Sequence, residues 1–289
     1  MRHLGITLLW LLWRLLPAPA LGWLGSALGK ALYGLAAERR RIAATNLRLC
    51  FPEWDEARRT TVLKAHFRAL GRASLQETVS WWGGREEMER LTRIEGLENI
   101  SPHLGKPLIC LAPHFVGVAI AGVRFASAFS PAVTLNARIK NPLIERLVFR
   151  SRNRFGDNEV YMRHEGIKPV LRALKKGRPF YFAPDMDFGR KDAMFVPFFH
   201  ASAATLAALP RLCRATGAVV VPAIARQERG AYVLRFYPAW QGYPSDDMEA
   251  DVRRMNAFIE DRIREMPEQY FWVHKRFKTR PTGEPGVYG

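Results

Sequence analysis

Cysteine is scarce. Three occur in 289 residues, Cys50, Cys110 and Cys213, and no two form a CxxC pair. That excludes a disulfide scaffold and a cysteine-based metal site, and it suits a reducing compartment. Cys110 and Cys213 stand in apolar runs and are expected in the core. Seven histidines are scattered and form no HExxH, so no metal is expected. No segment is of low complexity and none repeats. Acid is in short supply: Asp and Glu total 27 against 44 Lys and Arg, a net charge of +17. A surface this basic seeks polyanions, whether nucleic acid, anionic lipid or an acidic carrier protein. No nucleic-acid-binding motif accompanies the charge, so no nucleic-acid partner is expected. One more absence is local. The stretch "LAPHFVGVAIAG" (111–122) places His114 where a strand reads as ending, yet it contains no carboxylate to orient that imidazole.

What is present begins with an apolar leader. "MRHLGITLLWLLWRLLPAPALGWLGSALG" is rich in Leu and Trp, and is interrupted by Arg14, Pro17 and Pro19. It reads either as a signal peptide ending at 18–20 or as a retained membrane anchor. The anchor is favoured, because apolar residues resume at Leu21, Trp23, Leu24 and Leu28, and because Arg14 is foreign to a signal core. The segment has the length to span, but Arg14 and Pro17 equally suit a helix lying in the interface. Arg39, Arg40 and Arg41 follow, which favours the cytoplasmic side. The chain therefore divides into an anchor, 1–28, and a cytoplasmic-facing domain, 29–289.

The body alternates. Helical spacing fills 53–80, 116–129, 141–156, 165–177, 201–217 (with a proline kink) and 247–267. Short apolar or alternating runs at 106–113, 132–135, 158–162, 178–184, 218–225 and 231–240 read as strands. Such alternation specifies an α/β fold with a mixed, largely parallel sheet flanked by helices. Ligand sites in such sheets lie beyond the carboxyl ends of the strands. Three polar clusters fall there: His114, then Arg138, then Asp185 with Asp187.

Each has a plain and a functional reading. His114 is a core or helix-capping histidine, or a proton acceptor. Asp185 and Asp187, in "APDMDFGRKDAMFVPFF" (183–199), are turn residues or site carboxylates, with Arg190 and Lys191 bringing positive charge beside them. "FVPFF" is core or the lining of an acyl pocket. Arg138, Lys140 and the arginines of 146–154 are a solvated face or a clamp for phosphate or carboxylate groups. "YFWVHKRFKTRP" (270–281) mixes aromatic and basic residues as a stacking or membrane-surface patch does, and the apolar leader tips it toward lipid.

Taken in order, "HFVGVA", "NPLIERL", "APDMDFGRKDAMFVPFF", "ASAATLAALPRL", "TGAVVVPAIAR" and "PEQYFWVHKRFKTRP" resemble the bacterial lipid A biosynthesis lauroyl/myristoyl (late) acyltransferases, across nearly the whole chain. The resemblance implies a glycerol-3-phosphate-acyltransferase-like fold and an enzyme bound at the cytoplasmic side of the bacterial inner membrane. It implies an acyl-acyl carrier protein donor, a hydroxyl of a phosphorylated glucosamine lipid as acceptor, no cofactor, and a monomer. His114 matches the family's histidine, the general base. Asp185 and Asp187 match supporting polar positions, and Arg138, Lys140 and Arg190 are the expected substrate-binding cations. The family's motif places an acid five residues after the histidine, and this chain has Ala119 there. Asp185 or Asp187 then replaces that acid, or the chain is a catalytically impaired lipid- or carrier-binding homologue. A different membrane acceptor, an aminolipid or another glycolipid, is the alternative within acyl transfer.

Overall fold

The computed structural model describes residues 2–288. Helices α1 (Arg2–Leu15) and α2 (Ala18–Leu35) lead into α3 (Ala37–Cys50) and the long α4 (Glu56–Trp82), which Asp55 caps by accepting from the Arg58 N–H at 2.7 Å. Then come α5 (Arg85–Leu91), β1 (Thr92–Glu95) and the short α6 (Leu97–Ile100). The alternating body is β2 (Leu108–Leu111), α7 (Val118–Ala128), β3 (Val133–Asn136), α8 (Pro142–Asn153), β4 (Glu159–Met162), α9 (Lys168–Lys175) and β5 (Phe180–Phe182). A hairpin, β6 (Ala193–Phe198) and β7 (Ala201–Leu206), precedes α10 (Ala208–Thr216), β8 (Val219–Gln227), β9 (Tyr232–Phe236) and α11 (Met248–Glu265).

Seven strands form one sheet in the order β1-β9-β8-β2-β5-β3-β4. The five from β8 to β4 run parallel, while β9 returns antiparallel to β8 and carries β1 parallel to itself. The α/β expectation and the largely parallel sheet are therefore met. β2 is buried on both faces. Ile109 and Leu111 enter the core cluster that holds Phe180, Phe182 and Trp272, and Leu108 and Cys110 enter the one that holds Phe125 and Tyr181. Burial on both sides is why its sequence is a continuous apolar run rather than an alternating one. All three cysteines are buried and free.

The structure departs from the sequence reading in three places. Among the described residues no helix is long and apolar enough to cross a membrane, so the spanning form of the anchor is corrected. The leader breaks at Pro17 into two helices, and α2 continues past residue 28 to Leu35. It lies against α4 at van der Waals range through glycines: a Cβ on Gly29 would stand 2.1 Å from the Phe67 carbonyl oxygen, and one on Gly71 would stand 2.2 Å from that of Gly25. Second, the helix expected over 201–217 is strand β7 followed by α10. Ala201–Leu206 pairs in register with Phe198–Ala193, so the hairpin overrides the helical preference of an alanine-rich segment. Third, 270–281 is no surface patch. Tyr270, Trp272, Arg276 and Phe277 are all buried, and Arg276 donates at 2.8 Å to the Ala204 carbonyl and to Thr205 Oγ1.

Candidate active site

β2 and β5 are neighbours, with Leu111 and Phe182 as register partners. Each is followed by the same spacing, Leu111-Ala-Pro-His114 and Phe182-Ala-Pro-Asp185. Equal steps from paired residues bring the two functional side chains level beyond the sheet's carboxyl edge. His114 Nδ1 and Asp185 Oδ1 are 2.7 Å apart. The His114 backbone N–H also points at both carboxylate oxygens, at 3.2 and 3.0 Å. The Tyr270 hydroxyl donates to Oδ2 at 3.1 Å.

The loop is fixed from the other side by the C-terminal segment. Phe115 bridges Tyr270, the Phe271 N–H donates to the His114 carbonyl at 3.0 Å, and the Val116 N–H donates to the Gln269 carbonyl at 2.8 Å. The backbone on both sides of the imidazole is therefore held by hydrogen bonds.

The electrostatics give each group a role. Asp185 is fully buried. Burial alone would raise its carboxyl. The His114 ring, the hydrogen bonds from its side chain and backbone, and the nearby Arg276 guanidinium outweigh that and hold it below the usual carboxylate range. Burial and the Asp185 charge push the Tyr270 phenol well up, so it keeps its proton and donates. An ionised Asp185 accepts only, so Nδ1 of a neutral His114 carries the proton and Nε2 is left as a lone-pair acceptor. The imidazole is 29% exposed, and Nε2 takes no partner within the described residues.

Two carboxylates were expected near His114, and the structure delivers one. Asp187 accepts instead from Thr279 N at 2.6 Å, Thr279 Oγ1 at 2.8 Å and Gly189 N at 2.9 Å. Its own N–H donates to His274 Nε2 at 3.2 Å. It clamps the loop to the C-terminal tail. Arg190 is likewise occupied with that tail, donating to the Arg280 carbonyl at 2.7 Å and to Thr282 Oγ1 at 3.1 Å. Arg138 and Lys140, beyond β3, are exposed and make no hydrogen bond or ion pair among the described residues. Ala119 stands in the first turn of α7.

The sequence reading did not assign Tyr270 or His274. His274 is held neutral: burial and the nearby His114 and Arg276 lower it from 6.5 to about 4. It lines an apolar cavity of about 420 Å³ with Leu32, Phe67, Leu70, Phe271 and Val273. Within "FVPFF", Val196 and Phe198 are packed into cores, while Phe195 and Phe199 are half-buried. Among the described residues no group of three or more His, Cys, Asp or Glu side chains is arranged to hold a metal ion.

The lipid A biosynthesis palmitoleoyltransferase of Escherichia coli K12 is 33% identical over 98% of this chain and 93% of its own length. The lipid A biosynthesis lauroyltransferase of the same organism is 33% identical over 99% of this chain and 94% of its own. Among solved structures, the 1-acyl-sn-glycerophosphate acyltransferase from Thermotoga maritima overlaps 84% of this chain and 96% of its own. Its TM-score is 0.38 at 14% identity, too low to carry an argument. The family model described as bacterial lipid A biosynthesis acyltransferase matches residues 1–279, and it is to that acyltransferase family that the chain belongs.

Proposed function

We infer that this acyltransferase of lipid A biosynthesis moves a fatty acyl chain from acyl-acyl carrier protein to a hydroxyl of a lipid A precursor, with His114 as general base. The observation that carries the reading is the 2.7 Å contact between His114 Nδ1 and a buried, ionised Asp185. It answers the absence of an acid at Ala119: the orienting carboxylate comes from the neighbouring strand rather than from the next helical turn.

In this mechanism His114 Nε2 takes the proton of the acceptor hydroxyl as its oxygen attacks the thioester carbonyl. Asp185 holds the ring and stabilises the imidazolium that forms. N–H groups at the start of α7 face the developing oxyanion. Collapse of the tetrahedral intermediate expels the thiolate of the carrier's prosthetic arm, and the imidazolium returns the proton to it. The apolar cavity beside His274 is of a size for an acyl chain. No cofactor is required, because the thioester is already activated.

The membrane supplies the acceptor. Ten of the fourteen large apolar side chains exposed among the described residues lie on α1 and α2, with Trp23 83% and Leu35 81% exposed. A pair of short helices with such a face suits a position in the interface rather than across it. The charge of +17 suits an acidic carrier protein and an anionic bilayer together.

The test is acyl transfer in detergent micelles. Asp185→Asn is expected to lower turnover by about 10⁴-fold, as loss of a histidine's orienting carboxylate does elsewhere. His114→Ala is expected to fall at least as far, and Ala119→Asp to stay near the parent. An Asp185→Asn enzyme of parental activity would remove Asp185 from the mechanism. A large gain in Ala119→Asp would make position 119 the vacant partner, and no turnover by the parent would favour the impaired-homologue reading.

A further inference from the structure

At the carboxyl end of the sheet β2 has two neighbours. β5 carries Asp185. β8, on the other side, runs five residues past the register partner of Leu111 and ends in Gln227. There it meets α4 and the C-terminal segment in a polar groove of about 460 Å³. This groove merges with a recess of about 550 Å³, the two sharing the walls formed by 227–229 and 268–269.

Besides Arg93, four guanidiniums line these grooves: Arg68 and Arg72 from α4, Arg226 from β8, and Arg229 just beyond it. None of these four guanidiniums makes a hydrogen bond or ion pair among the described residues. Some arginines elsewhere are matched, as Arg178 is with Glu159 and Arg235 with Glu95, whereas others such as Arg138 stand singly on the surface; here the unmatched ones share one groove. The carboxylates that share the grooves are mostly engaged: Glu228 pairs with Arg93 at 2.8 Å, and Glu265 with Arg262 at 3.0 Å. Glu268 alone has no cation, so the balance is strongly positive.

The floor is rigid. Gln227 and Gln269 exchange hydrogen bonds at 2.6 and 3.0 Å, and Gln227 Nε2 also donates to the Ala69 carbonyl at 3.2 Å and to Tyr232 Oη at 3.0 Å. Gln269 immediately precedes Tyr270, the Asp185 partner. Ser26 of α2 forms part of the wall, three residues from the exposed Trp23.

We propose that this groove is a phosphate site that seats the phosphorylated headgroup of the membrane-borne acceptor while its acyl hydroxyl reaches His114. Three observations carry it. Unmatched guanidiniums lining one groove from two helix turns and a strand end are the donor set that phosphate oxygens fit. The glutamine floor ties together α4, the end of β8 and the C-terminal segment, so the backbones that carry these arginines are fixed without a ligand. The rim lies beside the apolar face of α2, where a lipid inserted in the interface presents its headgroup. The acceptor's identity rests on the acyl-transfer reading, whereas the anion site does not.

The test uses neutral-lipid nanodiscs that carry no acceptor, a phosphorylated glucosamine lipid, or its dephosphorylated form. Three full-length proteins are compared: the parent, Arg68→Gln/Arg72→Gln/Arg226→Gln/Arg229→Gln, and a control that removes four exposed charges elsewhere, Lys106→Gln/Arg172→Gln/Lys175→Gln/Lys176→Gln. The phosphorylated lipid is expected to tighten binding of parent and control by about tenfold or more, and to leave the groove variant unaffected. In acyl transfer the groove variant is expected to raise KM for the acceptor with kcat little changed. An equal phosphate-dependent gain in the groove variant overturns the site, as does an equal gain from the dephosphorylated lipid. Free glucosamine phosphate competing as well as the lipid would assign the groove to a soluble phosphate and overturn the membrane-borne headgroup. A parent that shows the phosphate-dependent gain but transfers no acyl group would overturn the acyl-transfer reading and leave the anion site standing.

Discussion

Inside α4, His66 is fully buried. Its Nδ1 contacts the Glu268 carbonyl at 3.0 Å, and its Nε2 has no partner. Burial lowers it from 6.5 to about 4. The folded chain therefore refuses a proton that the unfolded chain accepts once the pH drops below about 6.5. Its contribution is intact at neutral pH and is lost as the pH falls toward 4, at a cost of about 3 kcal/mol. His274 acts in the same direction. Denaturant titrations between pH 7 and pH 4 are expected to show this fall, and His66→Asn, which keeps a donor near Nδ1 but does not titrate, is expected to flatten it. An unchanged slope in His66→Asn would show that other groups carry the dependence. At the same scale lies the residue the sequence placed only in part. His114 was legible from its position after an apolar run. Its partner was not, because Asp185 is 71 residues away and Asp187, two residues on, has the same chemistry. Only the strand register and the three donors on Asp185 separate them.

At the scale of elements, α2 and α4 pack through glycines. Gly25, Gly29 and Gly71 let backbone lie against backbone, and a methyl group on any of them would meet backbone at under 2.5 Å. Backbone cannot swing aside as a long side chain can, so the helices must separate. Gly29→Ala and Gly71→Ala are each expected to cost about 3 kcal/mol, read as a lower Tm. Gly34→Ala, with open space around it, is the control and is expected to be neutral or slightly stabilising. Most elements of the body were legible, since their periodicity and stop signals are local: Gly217, in the left-handed region, ends α10. The strand at 201–206 was not, because its partner 193–198 alone decides between hairpin and helix.

Over the whole molecule, charge and apolar surface are separated. Most exposed large apolar side chains among the described residues gather on α1 and α2, and four unmatched arginines line the groove that Ser26 of α2 borders. Leu28 and Leu35 are exposed and support no core. Leu28→Asp/Leu35→Asp is expected to leave Tm unchanged while weakening vesicle co-flotation by about 100-fold or more, given roughly 1.5–3 kcal/mol for each large apolar side chain removed from water. Parental co-flotation in that variant would move the membrane contact to another face.

The sequence by itself determined the strand and helix alternation, the position of His114 at a strand end, the basic surface and the missing acid at Ala119. Each depends on composition or on neighbours along the chain. Tertiary structure alone decided which carboxylate meets His114, that Tyr270 completes the set, and that "YFWVHKRF" is a buried strap. It also decided that the leader lies along α4, and that arginines from three segments share one groove. These depend on register and on packing between residues distant in sequence, which local patterns do not encode.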